Sequence, residues 1–288
     1  MTVLLEALQN DTIHLPGQTP TAVAMSNQAR LPLRLVLGAG LLLIVLLIVP
    51  ALVIVGKALN PGLLPSLLSP VVTEALRLSL FTTSISLLIT LVLGVPSAYF
   101  LARFSFPGKR LLDTLIDLPL VLPPTVAGLA LLLTFGRRGL FAPVLENLGI
   151  TIAFTSVAVI IAQVFVSAPL LIRPMKAAFA NLDERLEAVA LSLKASRWRT
   201  FWSVSLPLTL PQLIEGIVLA WARALGEFGA TIVFAGSLQG RTQTMPLAIY
   251  AALEQDLNAA LGLSALLTLV AFSLLFGFRS FVAQTSEK

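Results

Sequence analysis

The sequence contains no cysteine and a single histidine, His14. The first absence removes disulfide scaffolds, thiol nucleophiles and thiolate metal sites together. The second leaves metal ligation and histidine-based proton transfer without the partners they need, so His14 reads as a solvated residue of a polar tail. Charge is scarce as well: 11% of the 288 residues are Asp, Glu, Lys or Arg, against about a quarter in soluble domains. No stretch reads G-x-x-x-x-G-K-[ST], because Gly56-Lys57 is followed by Ala58 and Gly108-Lys109 by Arg110. Backbone amides and a lysine placed to hold nucleotide phosphates are therefore not expected.

Apolar residues are abundant, at 57% of the chain, with a mean hydropathy of +0.94. That excess cannot be hidden inside a water-exposed surface. Disorder, a coiled coil and an ordinary soluble enzyme are excluded, and lipid is the solvent for most of the chain. The net charge of +5 then reports orientation in a membrane rather than nucleic acid.

Charge-free runs of about 20 residues, long enough to cross a bilayer, are Leu35–Gly56, Leu78–Ala102, Leu118–Gly136, Leu148–Ile172 and Leu257–Phe278. A sixth, Leu206–Gly236, is interrupted by Glu215, Arg223 and Glu227. Six spans with a cytoplasmic N-terminus put most of the 19 basic residues inside, among them Arg103, Lys109, Arg110, Arg173, Lys176, Arg185, Lys194, Arg197 and Arg199. Lys57, Arg77, Arg137, Arg138 and Arg241 fall outside. This bias fits the positive-inside rule better than five spans do. The expectation is an all-α membrane protein of six transmembrane helices with both termini cytoplasmic. Residues 1–30 form a tail without the basic start and apolar core of a signal peptide. Residues 31–58 hold the first helix, 73–280 the core, and 281–288 a second tail. Turn formers such as Asn60-Pro61-Gly62 and Gly236 through Gly240 mark outer connections.

The longest inward connection, about 176–206, contains ANLDERLEAVALSLKASRWRTFWSVSLP. Asn181 or Asp183 suits the cap of a helix starting near Glu184. Leu186, Val189, Ala190 and Leu193 recur on one face. Arg197, Trp198 and Arg199 lead into a second short helix stopped by Pro207. Two readings fit such a pair: a helix lying on the bilayer surface, which suits Trp and Arg, or a docking element for a partner.

The segment resembles the cytoplasmic EAA loop of permease subunits of bacterial ABC importers, whose pattern is E-A-A, three residues, G, nine residues, I-x-L-P. Ala188-Val189-Ala190 holds the first triplet, Lys194 the glycine position, Val204 the isoleucine, and Leu206-Pro207 the end. The acidic residue, Glu187, comes one place early. Lysine at position 194 costs roughly 1 kcal/mol in a left-handed turn or forces another turn. ARALGEFGATIVFAGSLQGRTQTMPLAIYAALE, from Ala222, and LPLVLPPTVAGLALLLTFGRRG, from Leu118, are similar to molybdate permeases. The resemblance covers about Glu74 to Phe278. It implies the type I ABC importer permease fold in a bacterial inner membrane and a homodimer forming the path. It further implies two separate ABC ATPase subunits that bind ATP and Mg, with no cofactor in this chain, and an extracytoplasmic molybdate-binding protein. Glu187, Ala188, Ala190, Lys194, Ala195, Leu206 and Pro207 would then form the coupling loop.

Arg223 stands about 15 residues, or about 22 Å of helix, beyond Leu208, near mid-membrane. Glu227 follows four residues later. The two fit a structural ion pair, or a partly neutralised positive potential for a passing dianion. Ala222, Gly226 and Ala230 recur every four residues, as in close helix packing, and Gly226 and Gly229 also suit a bend. Pro119, Pro123 and Pro124 interrupt the third span, as a packing kink or as part of a gate. No catalytic constellation or metal site is expected. The alternatives are a sulfate or thiosulfate permease of the same architecture and, in another class, an ATP-independent channel or carrier.

Overall fold

The computed structural model describes residues 33–58 and 69–286, and every regular element among them is helical. His14, the 1–30 tail and the Asn60-Pro61-Gly62 turn lie outside the described residues. Helix α1 (Leu33–Ala58) carries no charge between Arg34 and Lys57 and tolerates Pro50 in its interior.

The remaining elements follow in order: α2 (Pro70–Arg103), α3 (Lys109–Val121), α4 (Pro124–Phe135), α5 (Ala142–Asn147), α6 (Ser156–Asn181), α7 (Glu184–Ser192), α8 (Arg197–Thr200), a π-helical turn (Phe201–Ser205), α9 (Leu206–Leu208), α10 (Leu210–Leu225), α11 (Gly229–Phe234), α12 (Met245–Leu253) and α13 (Leu257–Ser286). Four described helices are long and apolar enough to cross a membrane, or up to six if each of two bent pairs counts as one span.

α2, α6 and α10 form the centre. Leu171 of α6 is fully buried between two glycines. A Cβ on Gly94 of α2 would stand 3.1 Å from Leu171 Cδ2, and one on Gly216 of α10 would stand 2.9 Å from Leu171 Cδ1. Missing side chains let three helices close on one leucine, the packing that membranes favour. The buried face of α2 carries Ser79, Thr82, Thr83, Ser86 and Thr90. Most of these hydroxyls are satisfied within the helix: Thr83 donates to Ser79 O (2.7 Å) and Ser86 to Thr83 O (2.9 Å). Gln163 of α6 reaches across to Thr82 Oγ1 at 3.2 Å.

Two expected spans are broken. The third runs as α3 and α4, bent by 118°. The reason is Pro123-Pro124, since a residue before proline is driven out of the α region. Leu122 and Pro123 are accordingly extended, with ψ of 134° and 135°. Pro119, expected to interrupt as well, stays inside α3. The Leu206–Gly236 segment bends by 75° around Thr209, ends a helix at Leu225 and restarts at Gly229. Ala222, Gly226 and Ala230 therefore do not share one helical face. The fourth span also starts later than expected, at Ser156, and runs on to Asn181, so Arg173 and Lys176 are helical. α13 runs to Ser286, into the segment expected as a tail.

Candidate functional site

At the Arg103 end of α2 stands the loop of the expected coupling residues. Asp183 caps α7 by accepting from Arg185 N at 2.9 Å, and Glu184 and Glu187 lie in the first turn, where the helix dipole favours negative charge. No residue of α7 is buried, and Leu186, Val189 and Leu193 are exposed. Lys194 adopts the left-handed conformation at φ +62°, the strained option for a lysine. Its turn is closed by Ala195 N donating to Ala190 O at 3.1 Å. The second helix begins at Arg197 under a Ser196 cap, with Arg199 N donating to Ser196 Oγ. It does not stop at Pro207: it passes through the π-helical turn and breaks at Thr209.

Glu187 faces inward. Its Oε1 accepts from Arg103 Nη2 at 3.1 Å and from Ser205 Oγ at 2.7 Å. Arg103 and Glu187 are only 10% and 14% exposed, and Arg103 also donates to Leu182 O at 3.4 Å. One carboxylate thus ties both short helices of the loop to α2. Beneath it, Tyr99 sits edge-on to Phe179 and Phe201, with ring centres 5.3 and 5.1 Å apart. Two further ion pairs join α3 to the same end of α6: Asp113 with Lys176 (2.6 Å) and Asp117 with Arg173 (2.5 Å).

The second cluster forms where the two broken segments meet. α4 packs on α11 because neither has side chains in the way. A Cβ on Gly229 would collide with Pro124. A Cβ on Gly128 would lie 2.6 Å from Ala230 O and 2.8 Å from Val233 Cβ. Glu227 fills the gap between α10 and α11. Its side chain is 1% exposed, and its Oε2 pairs with Arg223 Nη1 at 2.6 Å. Its Oε1 accepts from Ala230 N at 2.7 Å, which gives α11 an anionic cap. Arg223, a third exposed, is the open end of the pair. Pro123, Pro124 and Gly226 are exposed along the same junction.

The structure thus brings Pro124, Glu227 and Gly229 into one assembly, with Pro123 and Gly226 at its breaks and Arg223 attached through its ion pair. Glu187 and Ala195 take part in holding the loop, and Ala188 is exposed upon it. Sequence reasoning missed Gly128, whose only signal was its place in an apolar run, and Arg103, which was read merely as an inside charge. It also missed Asp113 and Asp117, whose signal was a four-residue spacing that matches the helical spacing of Arg173 and Lys176. Among the described residues, no group of three or more His, Cys, Asp or Glu is placed to hold a metal ion.

Residues 90–285 match the model of the binding-protein-dependent transport system inner membrane component family. The chain belongs to this family. This makes it a transport subunit of a membrane and gives the all-helical fold its context. It is 48% identical, over 209 residues, to the molybdenum transport system permease protein ModB of Mycobacterium tuberculosis, covering 73% of this chain and 79% of that protein. It is 38% identical over 209 residues to the "Probable sulfate transport system permease protein cysT" of Chlorokybus atmophyticus, covering 72% and 73%. Among solved structures it resembles a chain of a bacterial alginate ABC transporter in complex with an alginate pentasaccharide-bound periplasmic protein. The TM-score is 0.71 at 14% identity, over 88% of this chain and 94% of that one, a likeness of fold.

Proposed function

We propose that this chain is the permease subunit of an ATP-driven importer that carries molybdate, and with it tungstate, across the bacterial cytoplasmic membrane. One observation carries the substrate: over stretches of 209 residues, identity is 48% to a molybdenum permease and 38% to a sulfate permease. In this reading the chain crosses the membrane six times, each bent pair counting as one span, with both termini inside. Two copies line the path. Two ABC ATPase subunits, which bind ATP and Mg, dock against the exposed face of α7, while a binding protein delivers the oxyanion outside. The alginate transporter of similar fold, solved in complex with its periplasmic protein, supports that last partner. The chain has no catalytic group or cofactor of its own.

The residues divide the work as follows. Leu186, Val189 and Ala188 offer the docking surface. Ala190, Lys194 and Ala195 set the turn, and Leu206-Pro207 lead back to the membrane. Glu187 keeps this surface attached to α2, so movement of an ATPase is passed to the bundle. Along the path, a free arginine would trap a dianion, whereas an Arg223 neutralised by Glu227 leaves a weak field that permits transit. Pro123, Pro124, Gly226 and Gly229 form the break where the two half-helices move against each other.

The test is molybdate uptake in cells lacking and carrying the gene. Gene-dependent uptake blocked by tungstate and indifferent to excess sulfate is expected. Gene-dependent sulfate or thiosulfate uptake without molybdate uptake would keep the importer and replace its substrate.

A further inference from the structure

A groove of about 640 Å³ opens between α2 and the π-helical turn, walled by Val92, Pro96, Tyr99, Arg197, Trp198 and Trp202 among others. Its walls are apolar apart from Arg197 and the Tyr99 hydroxyl. Trp198 and Trp202 are 71% and 51% exposed and meet edge to face at 5.5 Å. The extra residue of a π-helical turn shifts the register of the side chains around it. Here Phe201 packs against Tyr99 and Phe179 while both tryptophans remain outside. No ion pair joins Arg197 to another described residue.

The depth of the groove is set by α2. Its 34 residues make a helix of about 51 Å, longer than the roughly 30 Å hydrocarbon core. The charged Arg103 marks an end that stands at the membrane surface, and Pro96 and Val92 lie about two and three turns inside it. Tryptophan and arginine together are the residues that favour this boundary. A wholly apolar helix would cover the walls but leave the Arg197 charge unmatched. An amphiphile with an anionic head matches both.

We propose that this groove holds an anionic phospholipid, with an acyl chain along Val92 and Pro96 and the headgroup phosphate on Arg197. Two of the three tryptophans of the chain are at the site, and the third, Trp221, is buried. Tryptophan emission therefore reports occupancy directly.

The full chain is reconstituted into phosphatidylcholine vesicles containing a small fraction of either dibrominated phosphatidylglycerol or dibrominated phosphatidylcholine. At equal low mole fraction, the anionic lipid should occupy the site, and quench, about fivefold more effectively. Arg197→Gln should remove this preference and Arg197→Lys should keep it. Trp198→Phe/Trp202→Phe should remove the quenchable emission and leave that of Trp221. Equal quenching by the two lipids would overturn the proposal, leaving a surface wetted by bulk lipid. No quenching by either would also overturn it and assign the groove to protein, a second copy or another segment of the chain.

Discussion

The α2–α6 and α4–α11 pairs solve one problem in opposite ways. Both must bury backbone in a medium that offers no hydrogen bonds. α2 and α6 are continuous, and the polar groups on α2 are mostly repaired within its own turns, Thr83 by Ser79 O and Ser86 by Thr83 O. α4 and α11 are fragments, and the break before α11 is closed by a charge rather than by hydroxyls. Glu227, in the gap between α10 and α11, accepts from Ala230 N and pairs with Arg223, while the two fragments meet through close backbone contact at Gly128 and Gly229. Repair by hydroxyls makes a strut that tolerates change. A buried charge beside glycine contacts makes a junction in which each part depends on another.

The largest expected effect strikes that dependence. Arg223→Ala strands the Glu227 carboxylate in the interior and should cost about 3 kcal/mol, toward the lower end for broken buried pairs because Arg223 is partly exposed. The double variant Arg223→Ala/Glu227→Gln keeps the acceptor for Ala230 N without the charge and should recover most of the loss. Melting of the detergent-solubilised chain checks this, and a double variant no better than the single would break the contrast between the regions.

A second comparison uses glycines. Gly128→Ala drives a methyl into the Ala230 carbonyl and should cost about 1–3 kcal/mol. Gly216→Ala makes its shortest contact, 2.9 Å, with the tip of the Leu171 side chain, which can turn aside, and meets Leu171 backbone only at 3.3 Å and beyond, so it should cost less. Gly226→Ala meets only the Ala222 carbonyl at an ordinary contact distance of 3.7 Å and should fold normally. Thermal melts of the three variants rank them, and equal losses at 128 and 216 would erase the distinction between junction and strut.

The smaller effects lie in the loop. Glu187→Ala releases Arg103 and Ser205 and should cost about 1–3 kcal/mol, reducing uptake and ATPase co-purification while membrane insertion stays intact. Lys194→Gly relieves the left-handed lysine and should stabilise by about 1 kcal/mol, seen as a small rise in melting temperature.

Much of this was legible from composition and pattern. Long charge-free runs located the long apolar helices, Asp183 was one of two candidate caps for α7, and the intact spacing placed a turn at Lys194 while leaving its hand open. The breaks were less legible. Pro123-Pro124 signalled a disturbance, but only the tertiary position of Gly229 shows what it accommodates. Glu227 read as a helical neighbour of Arg223 because a four-residue spacing does not reveal that the helix ends between them. Glu187 read only as the acidic residue of the coupling loop, and its tie to α2 was hidden because Arg103 lies 84 positions away, beyond the reach of any local pattern.

Transport coupled to ATP hydrolysis is what separates an importer subunit from a channel or carrier. The most direct measurement is molybdate uptake into vesicles containing the reconstituted permease with its ATPase and binding protein, with and without ATP. Uptake is expected only when ATP is present, and is expected to vanish when the loop around α7 is removed. The same flux without ATP, or with the loop deleted, would contradict this and describe a channel or carrier.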